Sequence, residues 1–355
     1  MHLLSPLSTS LLALTLALGT QGPSPGGNQA LISAQRISAP CSYVGASHSM
    51  GFVPGMAVEN TFVTSADPEV RRFIVYVPSS YQSGAGPYPV VYMLHGTGQT
   101  AGSPVSRLSW DELAEARDFI AVFPEALEYD LLDGTSRTKW HTNAVADFAV
   151  EPYELPLADD VLFLRELHNT LGDHLSIDCD RIYASGFSNG GGFIKTKIRV
   201  ELGDIFAATS NSGGIGIAMG VPGEFFPVNG TDFRPHFEIV GSKDPNRKDG
   251  CVGQGDLLVG QDLPMIPADI IAAGCMWNPM VAMAFEMGMD ESLYTTVEQP
   301  NLTQFLWSTE TLIGPHPREY RFVVLRNLGH EYPSGLNYPV DFVPVYYDWM
   351  LQYTR

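Results

Sequence analysis

The stretch Gly186-Phe-Ser-Asn-Gly190 limits what this chain can become more than any other. A β-branched and aromatic run, Arg181-Ile-Tyr-Ala-Ser185, leads into it, and an apolar, helix-compatible run, Gly191-Gly-Phe-Ile194, leads out. A G-x-S-x-G pattern between a strand and a helix reads as a nucleophile elbow, a turn so sharp that the serine backbone is strained. Gly186 and Gly190 fit that reading, because a Cβ at either position would meet the adjoining strand or helix. The helix that follows aims its N-terminal partial positive charge at Ser188, where a developing oxyanion would be favoured. The bare pattern arises by chance in about one chain in four of this length, and its bland counterpart is a Gly-rich turn in any βα unit. The flanking strand and helix favour the elbow.

The rest of the chain has the rhythm such an elbow requires. Strands are expected at 71–77, 89–94, 119–123, 205–210, 235–240 and 322–326. The run 89–94 is almost wholly apolar, as in a central strand covered on both faces. Ser109-Trp-Asp-Glu112 has the form of a capping box opening a helix to about Arg117. Asp159 and Asp160 head a run with helical apolar spacing, 161–171, and read as N-cap and first-turn charges. A closing helix is expected over 340–353. Strands alternating with helices specify a mostly parallel sheet with helices on both faces, an α/β fold. Residues 246–320 break the rhythm as a long, cap-like insertion before the last strand.

Ser188 needs a base and an acid, which in α/β-hydrolases follow in the order acid, then His. Gly241-Ser-Lys-Asp244 comes just after the strand 235–240, and Leu325-Arg-Asn-Leu-Gly-His330 just after the last strand. Asp244 and His330 are therefore the candidate catalytic partners of Ser188. Asp249 is the rival acid, five residues further from the strand. His316, between two prolines, is a poor rival base. A lone aspartate or histidine in a loop is ordinarily just solvated, and it is the joint order that carries the assignment. His330 would take the Ser188 proton and return it to the leaving alcohol, with Asp244 fixing the His330 tautomer. The loop 95–99 after the central strand and the residue after the serine would supply backbone N–H donors, from Thr97 and Asn189, as an oxyanion hole. His95 reads as a loop-shaping residue.

The chain has 355 residues and a net charge of −19. So acidic a chain repels phosphate backbones and anionic headgroups, so neither nucleic acid nor a membrane surface is an expected partner. Residues 1–19 read as a signal peptide: Leu11 to Leu18 is apolar but too short to span a bilayer. Residues 20–40 read as a flexible lead-in, and 41–355 as the catalytic domain. Export is thus expected, to the periplasm or outside the cell. The four cysteines, Cys41, Cys179, Cys251 and Cys275, suit two disulfides in any of three connectivities, with Cys251–Cys275 the expectation from proximity in sequence. Asn229 and Asn301 head glycosylation sequons. No C-x-x-C pair and no His/carboxylate cluster suggests a metal, and no cofactor is expected.

Several motifs carry a family resemblance: Arg72 to Pro78, His95-Gly-Thr-Gly-Gln99, Phe119 to Pro124, Asp159-Asp-Val161, Ile177 to Tyr183, Gly186 to Gly191, and later Gly241 to Asp244 and Gly329 to Pro333. Together they resemble the secreted polyhydroxyalkanoate depolymerase and feruloyl/acetylxylan esterase family of α/β-hydrolases. The resemblance is good over about 72–214 and thin afterwards. That family often has Cys at position 97 and Trp at position 332, where this chain has Thr97 and Tyr332. The resemblance implies an α/β-hydrolase fold, an ester substrate that is polymeric or plant-derived, and no cofactor.

In the insertion, Asn278 and Pro279 have the form of an N-cap and first helical residue, and Met276, Met280, Met283 and Met287 recur at helical steps. Such a stripe is more often plain core; its sharper reading is a deformable lid over an acyl or aryl group. On that reading Met280 and Met283 are candidate substrate contacts, as are the aromatics Trp140, Trp277 and Tyr332, each of which is more often plain packing. A serine peptidase would use the same triad, but hydrolase-fold peptidases usually carry a large N-terminal domain. A silent binding domain would be expected to have lost a triad member.

Overall fold

The computed structural model describes residues 46–65, 69–84, 86–142, 159–214, 234–309 and 318–355. The leader and lead-in, Cys41, His316 and the sequon at Asn229 lie outside these residues. In chain order the elements are β1 (Met56–Val63), β2 (Val70–Val77), β3 (Tyr88–Leu94), α1 (Gly102–Leu108), α2 (Trp110–Arg117), β4 (Ile120–Pro124), β5 (Glu128–Asp130), β6 (Ser136–Thr138) and α3 (Asp160–His174). Then come β7 (Ile177–Phe187), α4 (Asn189–Phe193), a π-helical turn (Ile194–Ile198), α5 (Arg199–Glu201), β8 (Ala208–Ser212) and β9 (His236–Gly241). The last stretch holds α6 (Pro245–Gly253), α7 (Pro267–Ala272), α8 (Gly274–Glu286), β10 (Tyr294–Gln299), β11 (Leu302–Thr309), β12 (Arg318–Leu325) and α9 (Phe342–Met350).

Ten strands form one sheet in the order β1-β2-β4-β3-β7-β8-β9-β12-β11-β10. The six central strands, β4 to β12, are parallel, and antiparallel pairs close both sides. This is the α/β-hydrolase fold. Alternate side chains of the central strands face two cores. Val90, Tyr92 and Leu94 pack with Phe163 and Leu167 of α3 and with Ile198. Val91 and Met93 pack in the opposite core, which holds Trp110 of α2 and Tyr346 and Trp349 of α9. Each large side chain so buried contributes about 1.5–3 kcal/mol.

The register decides where chemistry can happen. Leu94 pairs with Gly186, Phe187 with Ser212, and Leu325 with Gly241. The loops after β3, β7, β8, β9 and β12 therefore leave the sheet along one carboxyl edge, where open α/β sheets place their clefts.

Three local expectations are corrected. Ser109 sits at φ 52° and makes no side-chain cap; it is the left-handed joint between α1 and α2, and no capping box forms. Asn278 and Pro279 lie inside α8, which begins at Gly274 because the Asp256 carboxylate accepts the Cys275 N–H at 2.7 Å. The strand expected at 205–210 is β8, 208–212. Asp159 does cap α3, accepting the Leu162 N–H at 2.8 Å, while Asp160 is buried on Arg71.

The insertion supplies α6–α8 and the β10–β11 hairpin, and the hairpin extends the main sheet beyond β12. Met276, Met280, Met283 and Met287 are buried in a third core with Phe305, Trp307 and Phe322. Cys251 and Cys275 form a disulfide joining α6 to α8, and Cys179 is also disulfide-bonded.

Candidate active site

Ser188 stands between β7 and α4 at φ 52°, ψ −117°, a conformation that non-glycine residues rarely hold. Its N–H donates to the Ser212 carbonyl at 3.0 Å, and its carbonyl accepts from Gly192 at 2.9 Å. The flanking glycines are steric necessities. A Cβ on Gly186 would lie 2.8 Å from the Gly190 backbone, and one on Gly190 would lie 2.5 Å from the His95 carbonyl oxygen. The second contact packs the elbow helix directly against the loop after β3.

The structure brings Ser188, His330 and Asp244 together. His330 Nε2 lies 2.7 Å from Ser188 Oγ, and His330 Nδ1 lies 2.8 Å from Asp244 Oδ2. Asp244 is fully buried, whereas the rival Asp249 is exposed and makes no contact with His330 among the described residues. Asp244 has a second task as N-cap of α6, its Oδ1 accepting the Asn246 N–H at 3.0 Å, with Pro245 at the first helical position. The Asp-Pro pair after a strand was a usable signal for both cap and acid. Gly241 is fixed by the histidine loop, since a Cβ there would collide with the Leu328 and Gly329 carbonyls.

The loop after β3 is held on all sides. His95 Nδ1–H donates to the Gly96 carbonyl at 2.8 Å, and its Nε2 accepts the Ala126 N–H at 3.0 Å. Burial lowers His95 to about 4, only partly opposed by the bond to Gly96, so the ring is neutral and its tautomer is set by these two bonds. Gln99 Oε1 accepts the Gly96 N–H at 2.9 Å, and the Thr138 carbonyl accepts from Gly98 at 2.9 Å. Between these tethered neighbours, Thr97 N–H has no intramolecular partner among the described residues; neither has Asn189 N–H, at the head of α4. Sequence reasoning passed over Gln99 and the Asn189 side chain. The latter clamps the Trp140 backbone, accepting its N–H at 2.7 Å and donating to its carbonyl at 3.3 Å.

The candidate substrate contacts separate. A cleft of about 370 Å³ opens beside His330, lined by Gln99, Arg107, Leu108, Phe187, Tyr332 and Leu336 among others. Tyr332 belongs to it, although its hydroxyl is turned inward, 2.7 Å from Ser185 Oγ. Trp140 is wholly buried and donates through Nε1 to the His95 carbonyl at 2.9 Å, so it braces the loop from below. Met280 and Met283 do not reach this cleft: core packing against β11 and β12 holds them. Among the described residues no group of three His, Cys, Asp or Glu is arranged to hold a metal ion, and no helix is long and apolar enough to cross a membrane.

No protein-family model matches the chain. A bifunctional acetylxylan esterase/xylanase of Neocallimastix patriciarum is 26% identical over 123 residues, which are 35% of this chain and 15% of that protein. The match thus spans a small part of that relative. Among solved structures, an acetyl xylan esterase from Aspergillus awamori superposes with a TM-score of 0.51 at 13% identity, covering 82% of this chain and 98% of that one. An S-formylglutathione hydrolase from Agrobacterium tumefaciens gives a TM-score of 0.51 at 15% identity, covering 86% and 98%. These likenesses establish the fold.

Proposed function

We propose that this chain is an exported serine esterase that cleaves short-acyl or aryl carboxylic esters through an acyl-enzyme. The observation that carries the reading is the chain of contacts Asp244–His330–Ser188, at 2.8 and 2.7 Å, beside two backbone N–H groups with no partner among the described residues. Neutral His330 accepts the Ser188 proton as Oγ attacks the ester carbonyl carbon. The carbonyl oxygen becomes an oxyanion facing Thr97 N–H and Asn189 N–H. Collapse breaks the ester C–O bond and His330 hands its proton to the departing alcohol. A water deprotonated by His330 then attacks the acyl carbon, the Ser188 Oγ–acyl bond breaks to release the acid, and His330 returns the proton to Ser188 Oγ. Asp244 keeps the Nδ1–H tautomer and balances the imidazolium.

The cleft volume suits a small acyl or aryl group. The likeness to the Neocallimastix acetylxylan esterase/xylanase supports acetylated xylan as the first substrate to try. The disulfide between Cys251 and Cys275 supports an oxidising compartment.

A fluorophosphonate probe should label the wild type, with or without chelator, and leave Ser188→Ala unlabelled. Labelling that survives in Ser188→Ala would remove the nucleophile assignment. A panel of p-nitrophenyl acetate, butyrate and palmitate, methyl ferulate, acetylated xylan and a polyhydroxybutyrate film then ranks substrates. Fastest turnover of palmitate would defeat the short-acyl reading. Film clearing without ferulate or acetate release would move the assignment to a polyester depolymerase.

A further inference from the structure

Beneath the Ser188 site lies a carboxylate that the chemistry does not use. Glu238, on β9, is almost fully buried. Its Oε1 accepts from Lys195 Nζ at 2.8 Å and from Arg247 Nη2 at 2.7 Å, and its Oε2 accepts from the Tyr320 hydroxyl at 3.1 Å. Lys195 belongs to the π-helical turn that continues α4, the helix begun by Ser188. Arg247 belongs to the first turn of α6, whose N-cap is Asp244, and it also donates to the Gly214 carbonyl at 2.8 Å. Gly214 in turn abuts the elbow helix, since a Cβ there would come within 3.0 Å of the Gly191 backbone. Tyr320 lies on β12, the strand that leads to His330. One carboxylate thus touches each of the three elements that deliver Ser188, Asp244 and His330.

We propose that Glu238 is a positioning residue for ester hydrolysis, setting the mutual placement of the elbow helix, α6 and β12 so that Asp244, His330 and Ser188 stay in line. Elements packed only by apolar contact can slide by fractions of an ångström at small cost, whereas charge-assisted hydrogen bonds fix direction and distance. Burial raises the Glu238 pKa, but Lys195 and Arg247 outweigh it and hold the carboxyl below its usual range, so it is charged at neutral pH. A misplacement of about 1 Å in the reacting groups can lower turnover by about 10²-fold.

The inference rests on the esterase reading for its kinetics but not for its spectroscopy. Glu238→Gln keeps the shape and removes the charge, and Tyr320→Phe removes a single hydroxyl. With p-nitrophenyl acetate, well below each unfolding midpoint, kcat should fall about 10- to 100-fold in Glu238→Gln and about threefold or more in Tyr320→Phe, with KM within about twofold. The wild type should show a far-downfield proton resonance from the His330 Nδ1–H held on Asp244, and it should shift or broaden in both variants. A core variant remote from the site, Val122→Ala, should lose stability without moving kcat or the resonance. If Glu238→Gln does not fold, Tyr320→Phe decides. Wild-type kcat and an unchanged resonance in folded Tyr320→Phe overturn the inference. The resonance is readable whether or not the protein hydrolyses esters, so an inactive wild type would count against the esterase reading alone.

Discussion

The two halves of the parallel sheet, on either side of β7, are equally buried and chemically opposite. On one side, β3 reads Tyr-Pro-Val-Val-Tyr-Met-Leu and β4 reads Ile-Ala-Val-Phe-Pro. On the other, β8 reads Ala-Thr-Ser-Asn-Ser and β9 begins His-Phe-Glu, with every residue of both strands buried. The first half is held by volume and area. The second is held by directed bonds: Asn211 donates to His236 Nε2 at 2.9 Å, His236 Nδ1–H donates to Thr209 Oγ1 at 2.8 Å, and Ser210 donates to Ser185 at 2.8 Å. Asp244 and His330 both emerge from the polar half. The contrast teaches that the apolar half supplies stability alone, while the polar half adds angles and distances to it.

The largest effect that would break this contrast lies at its polar end. Asp244→Asn should lower kcat by about 10³- to 10⁴-fold, because Asn presents the wrong partner to His330 Nδ1–H. Stability should change little, because Asn caps a helix as well as Asp. Asp249→Asn should leave kcat within about twofold; a crippled Asp249→Asn would move the acid. Activity assays beside urea unfolding check both.

Next comes a matched pair of similar thermodynamic size. Val122→Ala in β4 should cost about 2 kcal/mol in unfolding free energy and leave kcat alone. Asn211→Leu, which keeps the branching at Cγ but replaces the amide, leaves His236 and the Gly214 N–H without partners that now stand at 2.9 and 3.2 Å. It should cost about 3 kcal/mol and also lower kcat about tenfold, since Gly214 packs on the elbow helix. Equal kcat in the two variants would erase the distinction.

The smallest effect sharpens it with pH. His95 is held neutral by burial, near 4 in the folded chain, against about 6.5 unfolded. The unfolded state therefore takes up a proton first as pH falls, and stability drops between about 6.5 and 4. From pH 7 to 5 this one residue should remove about 2 kcal/mol. His95→Asn, which can keep a donor toward Gly96, should be correspondingly less acid-sensitive in urea titrations at the two pH values. An identical drop in wild type and variant would show that other groups govern the acid limb.

The same contrast explains what could be read in the sequence. β3, β4 and β7 announce themselves by apolar or β-branched runs, and the elbow and its partners follow from their ends. β8 does not, because Thr209-Ser-Asn-Ser212 has the composition of a turn; hydrophobicity points instead to the preceding Ile205-Phe-Ala, and the strand is misplaced. β1 alternates weakly at an exposed edge, and β10 has the polar pattern Tyr-Thr-Thr-Val-Glu-Gln. The assembled core, invisible in the local pattern, gives these segments their structure. Asp244 and His330 could be found because each closes a legible strand. Glu238 could not, since a glutamate within a strand reads as solvent-facing until Lys195, Arg247 and Tyr320 are known to converge on it. The methionine stripe was legible as helical but not as to what it faced.

The hairpin β10–β11 has a consequence for how this enzyme-like edge ages in solution. Without it, β12 would be the rim of the sheet, and rim strands are where amide hydrogens exchange first and where foreign strands add on. The hairpin moves that rim two strands outward, to β10, and leaves β12 bonded on both sides. Fraying and strand capture would then begin at Tyr294–Gln299, away from the strand that sets His330 in place.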